Sequence, residues 1–228
     1  MRPFSFRQKL LSAALKITAA ASAVTGTVLS AAAGRTAFMG GSFVFRYFTI
    51  QSNLLLAFIC VAGLVFLFRK KPVPAGWFTV KFAGTVSITL TGLVFTFMLA
   101  PLLGARAWSF PNTLTHAVVP VCCIADFFVT GVNGDIPRRK AVYGLLPPLA
   151  YVIYAGIAYV LGWEFAPGVR YPYFFLNWGS PAGAFGFSSE LPFLGTVWWI
   201  LILLLLLLGI SALYLHLLDR LRARIYPE

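Results

Sequence analysis

Six apolar stretches divide the chain, and each is about as long as a helix that crosses a membrane. They cover residues 10–33, 43–68, 80–103, 112–130, 141–161 and 192–218. A helix needs about 20 apolar residues to cross a hydrocarbon core of about 30 Å. We therefore predict an all-α, polytopic membrane protein, a six-transmembrane-helix bundle that forms a single domain over residues 1–228.

The composition excludes a mainly water-soluble globule. Of 228 residues, 60% are hydrophobic and 11% charged, and the mean hydropathy is +0.86. In a soluble protein the net charge of +12 would suggest nucleic acid. Here no basic patch alternates with stacking aromatics, so we predict no nucleic-acid partner. The only histidines, His116 and His216, and the cysteines at 60, 122 and 123 fit no metal motif, so we expect no metal and no cofactor.

The first apolar stretch has two interpretations. Basic residues precede it and small residues end it near 31–34, as in a signal peptide. However, Lys16 interrupts the apolar run, and the stretch is long enough to span. We therefore interpret it as an uncleaved first span.

Basic residues indicate the orientation of the spans. Loops on the opposite side contain only Arg35, Arg106 and Arg170. Those on one side contain Arg2, Arg7, Lys9, Arg69, Lys70, Lys71, Lys81, Arg138, Arg139, Lys140, Arg220, Arg222 and Arg224. Because Lys and Arg are retained in the cytoplasm, we predict that both termini are cytoplasmic in a multi-pass protein of the cell membrane.

The connection over residues 162–191 is predicted to lie outside and is longer than the other loops. Its aromatic residues are Trp163, Tyr171, Tyr173, Phe174, Phe175 and Trp178. The favoured interpretation is an aromatic belt at the membrane interface. The alternative is a lid over a cavity that opens to the outer leaflet.

Polar residues inside two spans recur at helical spacing. Arg46, Thr49 and Asn53 follow an i, i+3, i+7 pattern in the second span, which predicts one shared face. Asn112 and His116 share a face of the fourth span. Polar groups in spans are costly, so these residues are candidates for function.

Depth in the membrane is predicted to bring these residues together. Thr49 lies about 9 Å below the outer end of the second span, and His116 lies about 6 Å below Asn112, at 1.5 Å per residue. Thr96 lies close to the outer end of the third span, after Thr85, Thr89 and Gly92 on the same face. We expect Thr49, His116 and Thr96 to meet in one layer, with Thr96 a candidate for substrate binding.

A hydroxyl beside an imidazole is the smallest unit of nucleophilic acyl transfer. Thr49 would be the nucleophile and His116 its base, with Arg46, Asn53 and Asn112 as candidate donors to an oxyanion. The alternative is structural, because threonines in membrane helices often bond a backbone carbonyl and a buried histidine often bridges helices. No carboxylate is placed to orient the imidazole, so we predict a dyad.

Three segments resemble a bacterial family of six-span integral membrane proteins. They are residues 46–55 (RYFTIQSNLL), 112–120 (NTLTHAVVP) and 171–177 (YPYFFLN). The first two also resemble the androgen-induced and androgen-dependent TFPI-regulating proteins of animals, which are threonine hydrolases of fatty acid esters of hydroxy fatty acids. The resemblance implies that Thr49 is the nucleophile and His116 the catalytic histidine, in a bacterial cytoplasmic membrane.

The sequence therefore leads to two hypotheses about function. The first is a membrane-embedded lipid (fatty acyl) ester hydrolase that acts in the outer leaflet through Thr49 and His116. The alternative is a non-catalytic lipid-binding or transport protein that uses the same polar layer. In both, the partner is a membrane lipid or fatty acyl ester, and the oligomeric state stays open.

Overall fold

A computed structural model describes residues 3–33, 40–69, 73–74 and 76–226. Arg2, Arg35, Lys70 and Lys71, which contribute to the predicted orientation, lie outside these ranges. Within them the chain is all-α, and six helices are long and apolar enough to cross a membrane, as predicted. They are α1 (Phe6–Ala32), α2 (Phe48–Phe68), α3 (Trp77–Arg106), α4 (Phe110–Gly131), α5 (Arg138–Val160) and α6 (Thr196–Ile225).

The first and last described residues, Pro3 and Tyr226, lie at the same end of the bundle. The Asn133 amide, just after α4, donates to the Pro3 carbonyl at 3.0 Å and to the Tyr226 hydroxyl at 3.3 Å. Arg138, at the start of α5, pairs with Asp219 near the end of α6 at 3.0 Å. We call this the termini end. The opposite end, where residues 161–195 connect α5 to α6, is the loop end. Which end faces the cytoplasm stays a prediction from the basic residues.

The first helix is part of the bundle. Ser5 caps it: the Gln8 N–H donates to Ser5 Oγ at 3.2 Å, and the Ser5 N–H donates to Gln8 Oε1 at 2.9 Å. This reciprocal pair satisfies backbone donors that would otherwise lack partners. The Gln8 side chain also donates to the Val129 carbonyl of α4 at 3.1 Å. The cap therefore starts α1 and ties it to a neighbouring helix.

Two prolines determine how α5 begins. A 3₁₀ helix over Arg138–Leu145 passes into an α-helix at Leu146. Pro147 and Pro148 occupy the first turn of that α-helix. Proline is tolerated there because the first N–H groups of a helix have no partner within it.

The long connection at the loop end folds onto the bundle. Phe165, Tyr173 and Phe175 are buried and belong to the main hydrophobic core. The Tyr47 hydroxyl, next to α2, donates to the Phe165 carbonyl at 2.9 Å. An interfacial belt is therefore wrong for Tyr173 and Phe175, whereas Trp163 is 45% exposed, and its place in a belt stays a prediction. The buried part of the connection covers the bundle as a lid would.

Candidate functional site

Thr49 lies in the first turn of α2. A separate 3₁₀ helix covers Gly41–Arg46, and Tyr47 is extended, with φ −89° and ψ 141°, before the α-helix begins at Phe48. The prediction that Arg46, Thr49 and Asn53 share one helical face is therefore wrong for Arg46. Thr49 stands at the start of its helix, so the predicted depth below that start is also wrong.

Two wide turns shape the walls around His116. α3 contains a π-helical turn over Phe95–Leu99, and α4 contains another over Leu114–Val118. A proline follows each turn, Pro101 in α3 and Pro120 in α4. Proline has no N–H to bond the carbonyl four residues earlier, and for Pro120 that carbonyl belongs to His116. Such π turns are frequent at functional sites.

The two π turns bring an aromatic ring against the imidazole. The rings of Phe95 and His116 stack with centroids 3.8 Å apart and an interplanar angle of 5°. Gly92 permits the close approach of α3 and α4, because a Cβ there would lie 3.1 Å from the His116 carbonyl oxygen. His116 as a whole is 7% exposed, and its ring is hydrogen-bonded to the Thr91 backbone. Among the described residues, its Nδ1 has no hydrogen-bond partner.

Asn53 links the helices that carry the two candidate catalytic residues. Its amide nitrogen donates to the Thr49 carbonyl at 2.7 Å and to the Thr115 carbonyl of α4 at 3.2 Å. Both amide hydrogens are therefore used. The structure assigns Asn53 to positioning α2 against α4, and the predicted role as an oxyanion donor is not supported.

Tyr173, from the loop-end connection, contacts Thr49 directly. The Thr49 N–H donates to the Tyr173 hydroxyl at 3.3 Å, and the hydroxyl oxygens of the two residues are 3.5 Å apart. Burial raises the pKa of Tyr173, so the phenol stays protonated and able to donate. The sequence pattern did not distinguish Tyr173 from the other loop aromatics, since its contact with α2 depends on the fold of the connection.

A cavity of about 610 Å³, which we call the wide chamber, opens between α1, α3, α4 and the connection. Thr49 and His116 both line it, so the structure brings the predicted pair to one cavity. They do not bond each other within the described structure: Thr49 contacts Tyr173, and His116 Nδ1 is free. The wall also includes Asn112 and Arg106.

A second cavity of about 60 Å³, the narrow chamber, lies between α2, α3, α5 and α6. Its wall is almost entirely apolar. Four residues line both chambers, and these are Thr49, Phe95, Leu99 and Tyr173. Thr49 thus stands where the two chambers meet.

Two other candidate residues, Arg46 and Thr96, are placed differently from expectation, and a third, Asn112, is not. The Arg46 guanidinium donates to the Glu164 carbonyl and lies 5.0 Å from the Phe43 ring, so it lines neither chamber. Thr96 also lines neither, because the π turn directs Phe95 toward His116 instead. Asn112 lines the wide chamber, although its amide donates to the Ala107 carbonyl at 2.8 Å.

A cluster of charges nearer the termini end was not predicted. Asp126 of α4 pairs with Lys16 of α1 at 2.7 Å and with Lys81 of α3 at 2.6 Å, and all three side chains are buried. Ser12 donates to the same carboxylate at 2.6 Å. Lys81 therefore belongs inside the bundle and not in the basic loop to which it was assigned. The sequence did contain a signal for this cluster, because Lys16 and Asp126 are ionisable residues inside two predicted spans.

Comparison with known proteins found no matching family model, no similar curated protein and no solved structure of similar fold. The resemblance drawn from residues 46–55 and 112–120 stays a prediction.

Proposed function

We propose that this protein is a membrane-embedded hydrolase of fatty acyl esters. The observation that carries the proposal is the placement of Thr49 and His116 on the wall of one cavity, with a buried imidazole nitrogen that has no partner among the described residues. A buried polar atom without a partner is uncommon in proteins, and a catalytic role is one explanation for it. The resemblance to threonine hydrolases supports the same two residues.

In the proposed reaction, His116 is neutral, with its proton on Nε2 toward the Thr91 backbone and its lone pair on Nδ1. Thr49 Oγ1 attacks the ester carbonyl carbon and transfers its proton to Nδ1. The C–O bond to the alcohol then breaks, and Nδ1 returns the proton to the leaving oxygen. Water repeats these steps on the acyl-threonine and releases the fatty acid. Catalytic hydrogen bonds often form only when substrate is bound, which fits the unbonded pair.

Two groups beside Thr49 suit the developing oxyanion. The Thr49 N–H, whose hydrogen bond to the Tyr173 hydroxyl is long at 3.3 Å and can be exchanged for one to the oxyanion, lies in the first turn of α2, where the helix dipole favours negative charge. The Tyr173 hydroxyl is a second donor at the same place. Preorganised donors in a site that excludes water are a large source of rate enhancement. These two groups take the role that the sequence suggested for Arg46 and Asn53.

Covalent labelling tests the proposal. Purified protein in lipid nanodiscs is treated with a fluorophosphonate probe, and the modified residue is mapped by mass spectrometry. Wild type should be labelled at Thr49, while Thr49→Ala and His116→Ala should stay unlabelled. Thr115→Ala is the matched control, because Thr115 lines the wide chamber but its hydroxyl donates to the Pro111 carbonyl of its own helix at 3.0 Å. That variant should label like wild type.

Two results would overturn the enzyme proposal. The first is a folded wild-type protein that neither reacts with the probe nor hydrolyses any lipid ester. The second is labelling that persists in Thr49→Ala, which would assign the reactivity to another residue.

One observation favours a second candidate function, lipid binding or transport without chemistry. Arg106 lines the wide chamber, and within the described residues no carboxylate lies within 4.0 Å of it, so its charge is available to a lipid headgroup. Under this alternative, Thr49→Ala retains lipid binding or transport. Arg106→Gln weakens it.

A further inference from the structure

The two chambers meet at Thr49 but differ in size, polarity and access to His116. We propose that the narrow chamber takes the acyl arm of the ester and the wide chamber takes its alcohol arm. The substrate is then an ester of an unbranched, short-chain fatty acid with a bulky alcohol that has a polar end. This inference rests on the proposed hydrolase function and adds the direction in which the substrate lies.

The position of His116 determines which arm enters which chamber. When the tetrahedral intermediate collapses, the leaving alcohol oxygen must receive the proton that the imidazole holds. His116 lines the wide chamber and not the narrow one. The alcohol oxygen must therefore lie toward the wide chamber, and the acyl chain extends from the carbonyl carbon into the narrow chamber.

The narrow chamber suits a hydrocarbon chain. Along α6 its wall extends from Ile200 to Leu207, a distance of about 10 Å at 1.5 Å per residue. Leu207 is fully buried and lies on this wall farthest from the loop end. The hydroxyls on the wall have protein partners: Thr91 contacts Ser52 at 2.8 Å, and Tyr151 donates to the Arg46 carbonyl at 3.0 Å. Apart from Thr49 and Tyr173, where the two chambers meet, no described hydroxyl on this wall is left to solvate a headgroup, so an apolar arm is favoured.

The wide chamber suits the larger and more polar arm. Its volume of about 610 Å³ is roughly tenfold that of the narrow chamber. Arg106, Ser109 and Asn112 line it near the loop end, where α3 meets α4. An alcohol with a polar end fits this wall, with its hydrocarbon part against Leu102 and Leu103.

Acyl-chain selectivity tests the direction of binding. Esters of one alcohol with fatty acids of increasing length are hydrolysed by the full-length protein in nanodiscs, and kcat/KM is measured for each. Leu207→Ala extends the narrow chamber and should shift the ratio of kcat/KM values toward longer acyl chains by at least about tenfold. Leu204→Phe fills the chamber and should shift the ratio toward shorter chains. Leu205→Ala is the control, since Leu205 is 69% exposed on the lipid-facing side of α6.

The results separate this inference from the function on which it rests. Opposite shifts for Leu207→Ala and Leu204→Phe, with none for Leu205→Ala, support it. An unchanged acyl profile in both variants, or a shift in preference for the alcohol instead, overturns it while the hydrolase proposal stands. Absence of hydrolysis for every ester by folded wild type overturns both.

Discussion

Two buried polar regions lie in the membrane part of this protein, and they differ in how their polar atoms are partnered. In the charged cluster, both lysines bond the Asp126 carboxylate, and Lys81 also donates to the Asp126 carbonyl at 2.8 Å. Near Thr49, by contrast, His116 Nδ1 and Asn53 Oδ1 have no partner among the described residues. The cluster lines neither chamber, whereas Thr49 lines both.

This difference separates groups that hold helices together from groups available to a ligand. Charges in a low-dielectric interior are costly unless they are paired and hydrogen-bonded. Lys16, Asp126 and Lys81 meet that condition and join α1, α3 and α4. An imidazole nitrogen left without a partner beside a cavity gives no such stabilisation, so its position is better explained by what enters the cavity.

The largest expected effect is on the charged cluster. Asp126→Asn leaves two buried ammonium groups without their counter-charge, and we expect the free energy of unfolding to fall by about 3–5 kcal/mol. Unfolding in a detergent titration measures this. The control is the neutral triple variant Lys16→Met, Asp126→Leu, Lys81→Met, which should recover much of the loss. Equal stability of Asp126→Asn and wild type would contradict the structural role.

At the loop end, replacement of one buried polar side chain, His116, should affect activity far more than stability. His116→Gln removes the proposed base, so ester hydrolysis should fall by about 10²–10⁴-fold. The free energy of unfolding should fall by only about 1 kcal/mol, the value of the lost stacking with Phe95. Hydrolysis rates and unfolding are measured on the same preparations. If His116→Gln loses much of its stability but hydrolyses esters at the wild-type rate, His116 is a structural residue like those of the charged cluster.

Tyr173→Phe should reduce kcat by about 10²-fold, because one oxyanion donor is lost. Burial raises the pKa of Tyr173, so the donor proton is present below that raised value and is lost only as the pH rises through it. Wild-type kcat should therefore show no loss due to Tyr173 up to about pH 10, where a free tyrosine ionises. A pH–rate profile checks this. If kcat is unchanged in Tyr173→Phe, Tyr173 covers the site but is not an oxyanion donor.

The smallest expected effect concerns the packing of α3 against α4. In Gly92→Ala the added methyl would lie 3.1 Å from the His116 carbonyl oxygen and 3.3 Å from Pro120 Cγ. We expect a loss of about 1–3 kcal/mol in unfolding free energy from overpacking, together with slower hydrolysis as His116 is displaced. Gly76→Ala is the control, because a Cβ there meets nothing within 4 Å.

The sequence was sufficient to predict the six spans, because lipid demands long apolar helices whatever their packing. Their observed bounds differ from the predicted ones by up to seven residues, and the largest difference is at the end of α6, which ends at Ile225 and not at residue 218. Helical spacing also singled out Thr49 and His116, and the two residues line one cavity, although the predicted depth of Thr49 is wrong. That agreement depended on Asn53, whose bonds to both helices fix their relative position.

The remaining errors of the sequence-based prediction have two causes, which are departures from a regular helix and contacts between helices. Arg46 was assigned to α2 because its spacing fits, but the backbone is extended at Tyr47. Thr96 was expected beside His116 because a continuous α-helix was assumed through residues 95–99. The partners of Lys16 and Lys81 depend on the packing of three helices, and spacing within one helix does not show this.

The wide turn before Pro120 amounts to one surplus residue in an otherwise regular helix. Removing a single residue from Leu114–Val118 would restore ordinary α-helical spacing. Everything on the loop-end side of the deletion would then rotate by about 100° and move by about 1.5 Å relative to the rest of α4. The imidazole would leave its place against Phe95, while Asp126 would keep its register with both lysines. Insertion or loss of one residue thus offers a simple evolutionary route between a bundle with this site and an inert one.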